Sequence, residues 1–93
     1  MVVWSGPARS DLREIHDFIA RDSHAYAQMV IEEIIEKTGI LDEFPQIGRI
    51  VPELETESVR EIFAYSYRII YEIKPDRLVI LSVLHARRLL NME

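Results

Sequence analysis

A chain of 93 residues forms one domain around a single two-layer core, since a protein of this size buries only about 60–65% of its extended surface. Apolar residues make up 48% and charged residues 29%, a globular balance without the signature of disorder. The absence of cysteine excludes disulfide frameworks, thiolate nucleophiles, Cys-ligated zinc and iron–sulfur clusters. No apolar run nears the roughly 18 residues of a membrane span. The opening Met1-Val2-Val3-Trp4-Ser5-Gly6-Pro7 lacks the basic and apolar regions of a signal peptide. The expectation is a soluble, cytoplasmic protein with no membrane partner. Its net charge is −5, and the charge is unevenly spread: residues 1–58 carry five basic and twelve acidic side chains, residues 59–93 six and four. Five of those last six are arginine, which suits bidentate contact with carboxylate or phosphate.

The β-branched and aromatic Val2-Val3-Trp4 reads as a first strand, ended by Ser5-Gly6-Pro7. Trp4 there is a core or edge anchor. Ser5 or Gly6 caps a helix that tolerates Pro7 in its first turn. Ala8, Leu12, Ile15 and Ile19 form its apolar stripe, and it ends near Ala20–Asp22. Asp22 or Ser23 caps a second helix, with the stripe Ala27, Ile31, Ile34, Thr38 and Leu41, while Glu32, Glu33 and Glu36 form a solvated face. This helix stops before Pro45. The short connection makes the two helices an antiparallel hairpin.

The pattern changes at Pro45. Residues 45–58 read as a turn-rich loop. Three strand candidates follow: Val59 to Ala64, Tyr67 to Ile73, and Leu78 to Leu84. In the middle one Tyr67, Ile69, Tyr71 and Ile73 share a face, with Arg68, Ile70 and Glu72 on the other. The third is apolar on both faces, as a central strand is. Tyr65-Ser66 and Lys74-Pro75-Asp76-Arg77 supply the turns of an antiparallel meander. The fold is therefore α+β, in the order β-α-α-β-β-β. The helical hairpin packs on one sheet face and leaves the other partly open. The single domain divides into strand plus hairpin (1–44), loop (45–58), meander (59–85) and tail (86–93).

The glycines (Gly6, Gly39, Gly48) are too scattered for a phosphate loop. His16, His24 and His85 have no metal-ligand spacing, so no metal or cofactor is expected. One constellation carries chemistry: Arg60, Arg68, His85, Arg87 and Arg88, on or beside the sheet. Arginines around a histidine can bind a phosphodiester and shuttle a proton. The competing reading is cross-strand pairing of Arg68 with Glu61 or Glu72, the other arginines being solvated.

Several pieces in order resemble the RelE/ParE superfamily of toxins from bacterial toxin–antitoxin modules. They are Trp4, Pro7-Ala8, Asp11-Leu12 and Ile15; then Leu41 leading into Pro45-x-x-Gly48-Arg49, and Arg60-Glu61. The last are Tyr67-Arg68-Ile69-Ile70-Tyr71 and His85-Ala86-Arg87-Arg88. The resemblance spans the whole chain and implies the same β-α-α-β-β-β fold. It also implies tight binding by a cognate antitoxin, growth arrest and plasmid stabilization, with a dimer or a toxin–antitoxin hetero-oligomer as the assembled form. The superfamily divides into RelE-like endoribonucleases that cut mRNA on the ribosome and ParE-like inhibitors of DNA gyrase. By resemblance Arg68 matches the central-strand arginine and Arg87 or Arg88 the late one. A nuclease here would rest on Arg68, His85 and Arg87, with Glu53 or Glu61 standing in as base. The nuclease pattern also calls for lysines ahead of the sheet, or a glutamate in that region, and a Tyr or His in the tail. This chain has no lysine between Lys37 and Lys74, and only Leu89, Leu90, Asn91, Met92 and Glu93 follow Arg88. The departures favour the ParE-like branch: a binding inhibitor whose Arg60, Arg68, Arg87 and Arg88 meet target or antitoxin. An acidic antitoxin segment is expected to pair with Arg60, Arg68 or Arg87. The third alternative is an inactive antitoxin-binding module.

Overall fold

A computed structural model describes residues 1–88; the tail segment expected beyond Arg88 lies outside the described residues. Strand β1 (Val2–Trp4) gives way at Ser5 to helix α1 (Gly6–Ala20). The Ser5 hydroxyl accepts from the Ala8 amide at 3.2 Å, satisfying one of the otherwise orphaned first-turn donors, and Pro7 sits where no amide is needed. Helix α2 (His24–Gly39) starts the same way, with the Ser23 hydroxyl accepting from the Tyr26 amide at 3.1 Å. It tightens into a single 3₁₀ turn, Ile40–Asp42, before Pro45 forbids further helix. That turn, rather than α2 itself, carries Leu41, the last residue of the expected stripe, and buries it to 1% exposed.

Strands β2 (Arg49–Ile50), β3 (Val59–Ala64), β4 (Tyr67–Ile73) and β5 (Leu78–His85) complete a five-stranded sheet in the order β1-β5-β4-β3-β2. All neighbours are antiparallel except β1 and β5, which run parallel with Val2 opposite Leu78 and Trp4 opposite Ile80. β2 is an addition to the expected order, too short to show a period of its own. No described helix is long and apolar enough to cross a membrane.

The helical hairpin covers one sheet face. Ala8, Val30, Ile34 and Leu41 meet Ile69, Tyr71, Leu78, Ile80 and Val83, and Trp4, Leu12 and Ile15 close the margin. Each large apolar side chain buried here contributes about 1.5–3 kcal/mol by its removal from water. The opposite face is not open as expected. The loop after β2 folds back over it, and Val51 and Leu54 seal Val59, Ile70, Leu81 and Leu84 into a second, smaller core.

Pro45-x-x-Gly48-Arg49 joins these layers. The buried Tyr71 hydroxyl donates to the Pro45 carbonyl at 2.7 Å and accepts from the Gly48 amide at 3.0 Å. Gly48 has no room for a side chain: a Cβ would lie 2.6 Å from both the Glu61 carbonyl oxygen and the Tyr71 hydroxyl. Arg60 completes the clasp, donating to the Gly48 carbonyl at 3.0 Å and to the Glu57 carbonyl at 3.0 Å. At the other edge β1 ends before β5 does. Asp11 of α1 takes over there, its carboxylate accepting from the Val83 amide at 2.9 Å and the Ser82 hydroxyl at 3.1 Å.

Candidate functional site

Arg68 lies on the face of β4 turned away from the helices, as strand alternation requires. Loop residues and the chain after β5 close over it, and its side chain is only 5% exposed. An unpaired guanidinium at that depth would be costly, so its surroundings must supply acceptors. Nε donates to Glu61 at 2.7 Å. Nη1 and Nη2 grip the two oxygens of Glu53, each at 2.9 Å. Nη1 also donates to the Arg88 carbonyl at 2.8 Å. Four of the five guanidinium N–H groups are thus committed. The hydrogen bond to Glu53, followed by those to Glu61, raises the Arg68 pKa although burial acts against it. Glu61, itself fully buried, gives its second oxygen to Arg49, its partner across β2–β3. The result is a run of alternating charges: Arg49, Glu61, Arg68, Glu53.

Beside this network lies a cleft of about 360 Å³, lined by Arg49, Pro52, Glu53, Arg68, Arg87 and Arg88, with Ala86 at its wall. Arg87 and Arg88 are exposed on the turn that follows β5. The structure therefore brings together three of the sequence candidates, Arg68, Arg87 and Arg88. Arg60 lies elsewhere. It stands opposite Tyr71 on the helix side of the sheet, with its guanidinium occupied by loop carbonyls.

His85 is also apart from Arg68. It pairs with Tyr67 across β4–β5, and the two rings meet edge to face at 5.9 Å, so both stand on the helix side. The His85 Nδ1 accepts from the Arg87 amide at 3.2 Å. Arg68 and His85 thus project from opposite faces of one sheet, and the expected arginine–histidine phosphate site is not assembled. Glu53 and Glu61, the candidate bases, are both engaged as partners of Arg68. Arg49 is the site residue missed in the sequence; its stacking over Phe63 at 5.2 Å and its bond to Glu61 depend on β2. Among the described residues no group of three or more His, Asp or Glu side chains is gathered as a metal site requires.

The overall architecture is similar to that of chains from solved toxin–antitoxin structures. A chain of the chromosomal ParDE TA system from P. aeruginosa superposes with a TM-score of 0.76 at 21% identity, over 90% of this chain and 92% of that one. A chain of the toxin–antitoxin complex RelBE2 from Mycobacterium tuberculosis gives 0.64 at 24% identity, over 91% and 95%. No curated protein matches the sequence. The family model described as the ParE toxin of type II toxin–antitoxin system, parDE, matches residues 2–90, and the chain belongs to that family. It is a type II toxin of the ParE/RelE superfamily.

Proposed function

We propose that this toxin acts by binding, as a ParE-like inhibitor of DNA gyrase, and that a cognate antitoxin neutralises it. The observation that carries the reading is the separation of Arg68 from His85. Cleavage of RNA needs a phosphate-holding cation and a proton-transfer group on one substrate. Here the central arginine spends its donors on Glu53 and Glu61, while the histidine stands across the sheet. A net charge of −5 also opposes binding to ribosomal RNA, where basic surfaces supply the affinity. The exposed Arg87 and Arg88 are then contacts for the target protein or its bound DNA.

The second reading is a RelE-like ribosome-dependent endoribonuclease, and the specific observation in its favour is the arginine-lined cleft itself. Two assays side by side decide. Gyrase inhibition with trapped cleavage complexes and intact mRNA supports the binding inhibitor. Codon-phased cuts in mRNA on translating ribosomes, with gyrase untouched, overturn it. A folded chain that leaves growth and both assays unaffected is an inactive antitoxin-binding module.

A further inference from the structure

The central-strand arginine and the two arginines after β5 line one cleft, but they do not play the same part in it. Arg68 is sealed. Its side chain is 5% exposed, and its bonds to Glu61, Glu53 and the Arg88 carbonyl leave a single Nη2 N–H for anything that enters. Arg87 and Arg88 are the reverse. Both are exposed, and among the described residues neither guanidinium has an acceptor. An oxyanion on a target therefore meets Arg87 and Arg88. To engage Arg68 fully it would have to draw the guanidinium away from the two carboxylates that share it, which is costly at that depth.

Arg68 nevertheless reaches those two residues through the backbone. The Ala86 amide donates to the Ser66 carbonyl at 2.7 Å, the Arg88 amide to the His85 carbonyl at 2.9 Å and the Arg87 amide to His85 Nδ1 at 3.2 Å. These bonds tie the amides of the turn back to the strands. The bond from Arg68 Nη1 to the Arg88 carbonyl, 2.8 Å long, fixes the outgoing end. It comes from a cation, so it is of the stronger, charge-assisted kind. The other N–H of Nη1 goes to Glu53, and Nε goes to Glu61. The two carboxylates thus set the plane of the guanidinium, and that plane points Nη1 at the carbonyl. Resting on the reading above that Arg87 and Arg88 contact the target, we infer that Arg68 is a positioning residue. It does not touch the target; it aims Arg87 and Arg88 by holding the Arg88 carbonyl, with Glu53 and Glu61 as its supports. An arginine head stands at the end of a long side chain. A small rotation of the backbone at Arg88 therefore carries its planar fork out of line with an acceptor that needs both N–H groups at once.

The test is a double-mutant cycle on the purified full toxin, read as the concentration that half-inhibits gyrase supercoiling. One arm, Arg68→Met/Glu53→Leu/Glu61→Leu, removes the latch together with the buried charges, so that the fold is retained. The other arm is Arg87→Ala/Arg88→Ala. The first is expected to raise the half-inhibiting concentration about tenfold and the second about 30-fold. Combined, they should stay within about twofold of Arg87→Ala/Arg88→Ala alone, because no guanidinium is left to aim. A general loss of stability would not show this dependence on Arg87 and Arg88. Amide exchange at residues 86–88 should quicken in the triple variant while α1 and α2 keep their wild-type protection. Arg68→Lys is the second variant. It keeps a charge between Glu53 and Glu61, but an ammonium cannot span both carboxylates and the carbonyl, so the same loss and the same non-additivity are expected. Urea unfolding establishes that each variant is folded. Losses that multiply in the combined variant would mean that Arg68 itself meets the target. Wild-type inhibition by the triple variant and by Arg68→Lys would mean that the carbonyl bond aims nothing. Either result overturns the inference and leaves the gyrase reading intact. A wild-type toxin that does not inhibit gyrase fails that reading instead, and this inference falls with it.

Discussion

The two faces of the sheet are sealed by different means. On the helix side the contacts are almost wholly apolar, with Ile34, Ile69, Tyr71 and Ile80 excluded from water. On the loop side four apolar residues share the interior with a fully buried Glu61 and a nearly buried Arg68. Apolar packing is non-directional and forgiving of small volume-conserving changes. An ion network instead demands every partner, because desolvating a charge costs several kcal/mol unless all are present. The helix side therefore holds the fold. The loop side specifies where the segment 51–58 and the residues after β5 lie. The cleft carrying Arg87 and Arg88 is built on the demanding side.

The largest effect expected from this contrast is at Arg68. Arg68→Ala removes the guanidinium that Glu61 and Glu53 share inside the sheet's loop side and should cost about 3–5 kcal/mol in urea unfolding. Replacing Arg68, Glu61 and Glu53 together by Met, Leu and Leu should recover most of that loss. If the triple variant is no more stable than Arg68→Ala, the network is not the reason for the single-site cost. Gly48→Ala tests the junction between the faces. Its methyl meets the Glu61 carbonyl oxygen and the Tyr71 hydroxyl at 2.6 Å, and a loss of about 1–3 kcal/mol is expected by the same measurement.

Tyr71→Phe should cost about 1–2 kcal/mol by orphaning the Gly48 amide and the Pro45 carbonyl. It also carries a pH signature. Burial raises the Tyr71 pKa above the ordinary value of 10.0, against the lowering influence of the Gly48 bond. A folded-state pKa above the unfolded one means the stabilisation is full below pH 10 and lost as pH rises through the folded value. Stability of the wild type measured from pH 8 upward should therefore fall above pH 10, and more shallowly in Tyr71→Phe. The smallest effect is Ser23→Ala on the helix side, about 1 kcal/mol for a lost cap. A larger loss there than at Arg68 would break the comparison.

Much of this was legible from one sequence. The two serine-capped helices and the three long strands follow from apolar spacing at 3.6 and 2.0 residues and from the turn chemistry between them. The pairing of Arg68 with Glu61 was one of two alternatives visible in cross-strand proximity. The partner Glu53 was not, because a loop has no period to place it against a strand fifteen residues away. β2 was hidden for the same reason, being two residues long beside Pro45 and Pro52. The face of His85 turned on one irregularity. Strict alternation from Ile80 would put His85 beside Arg68. The register shift between Ile70 and Tyr71 leaves one extra residue in β5, and everything after it changes sides. Without that bulge His85 and Arg68 would share a face of the sheet.

The parallel pairing of β1 with β5 has a consequence for synthesis. The first strand made has only the last strand made as its neighbour, and Asp11 waits for Val83 across the same gap. A nascent chain that has not yet delivered residues 78–85 has an incomplete sheet and an uncapped hairpin. Contacts of such long sequence separation form late and slow the folding of a small domain. A chain cut before residue 78 cannot close the sheet. The sheet closes only once residues 78–85 have been made, and until then the hairpin has no completed partner to pack on.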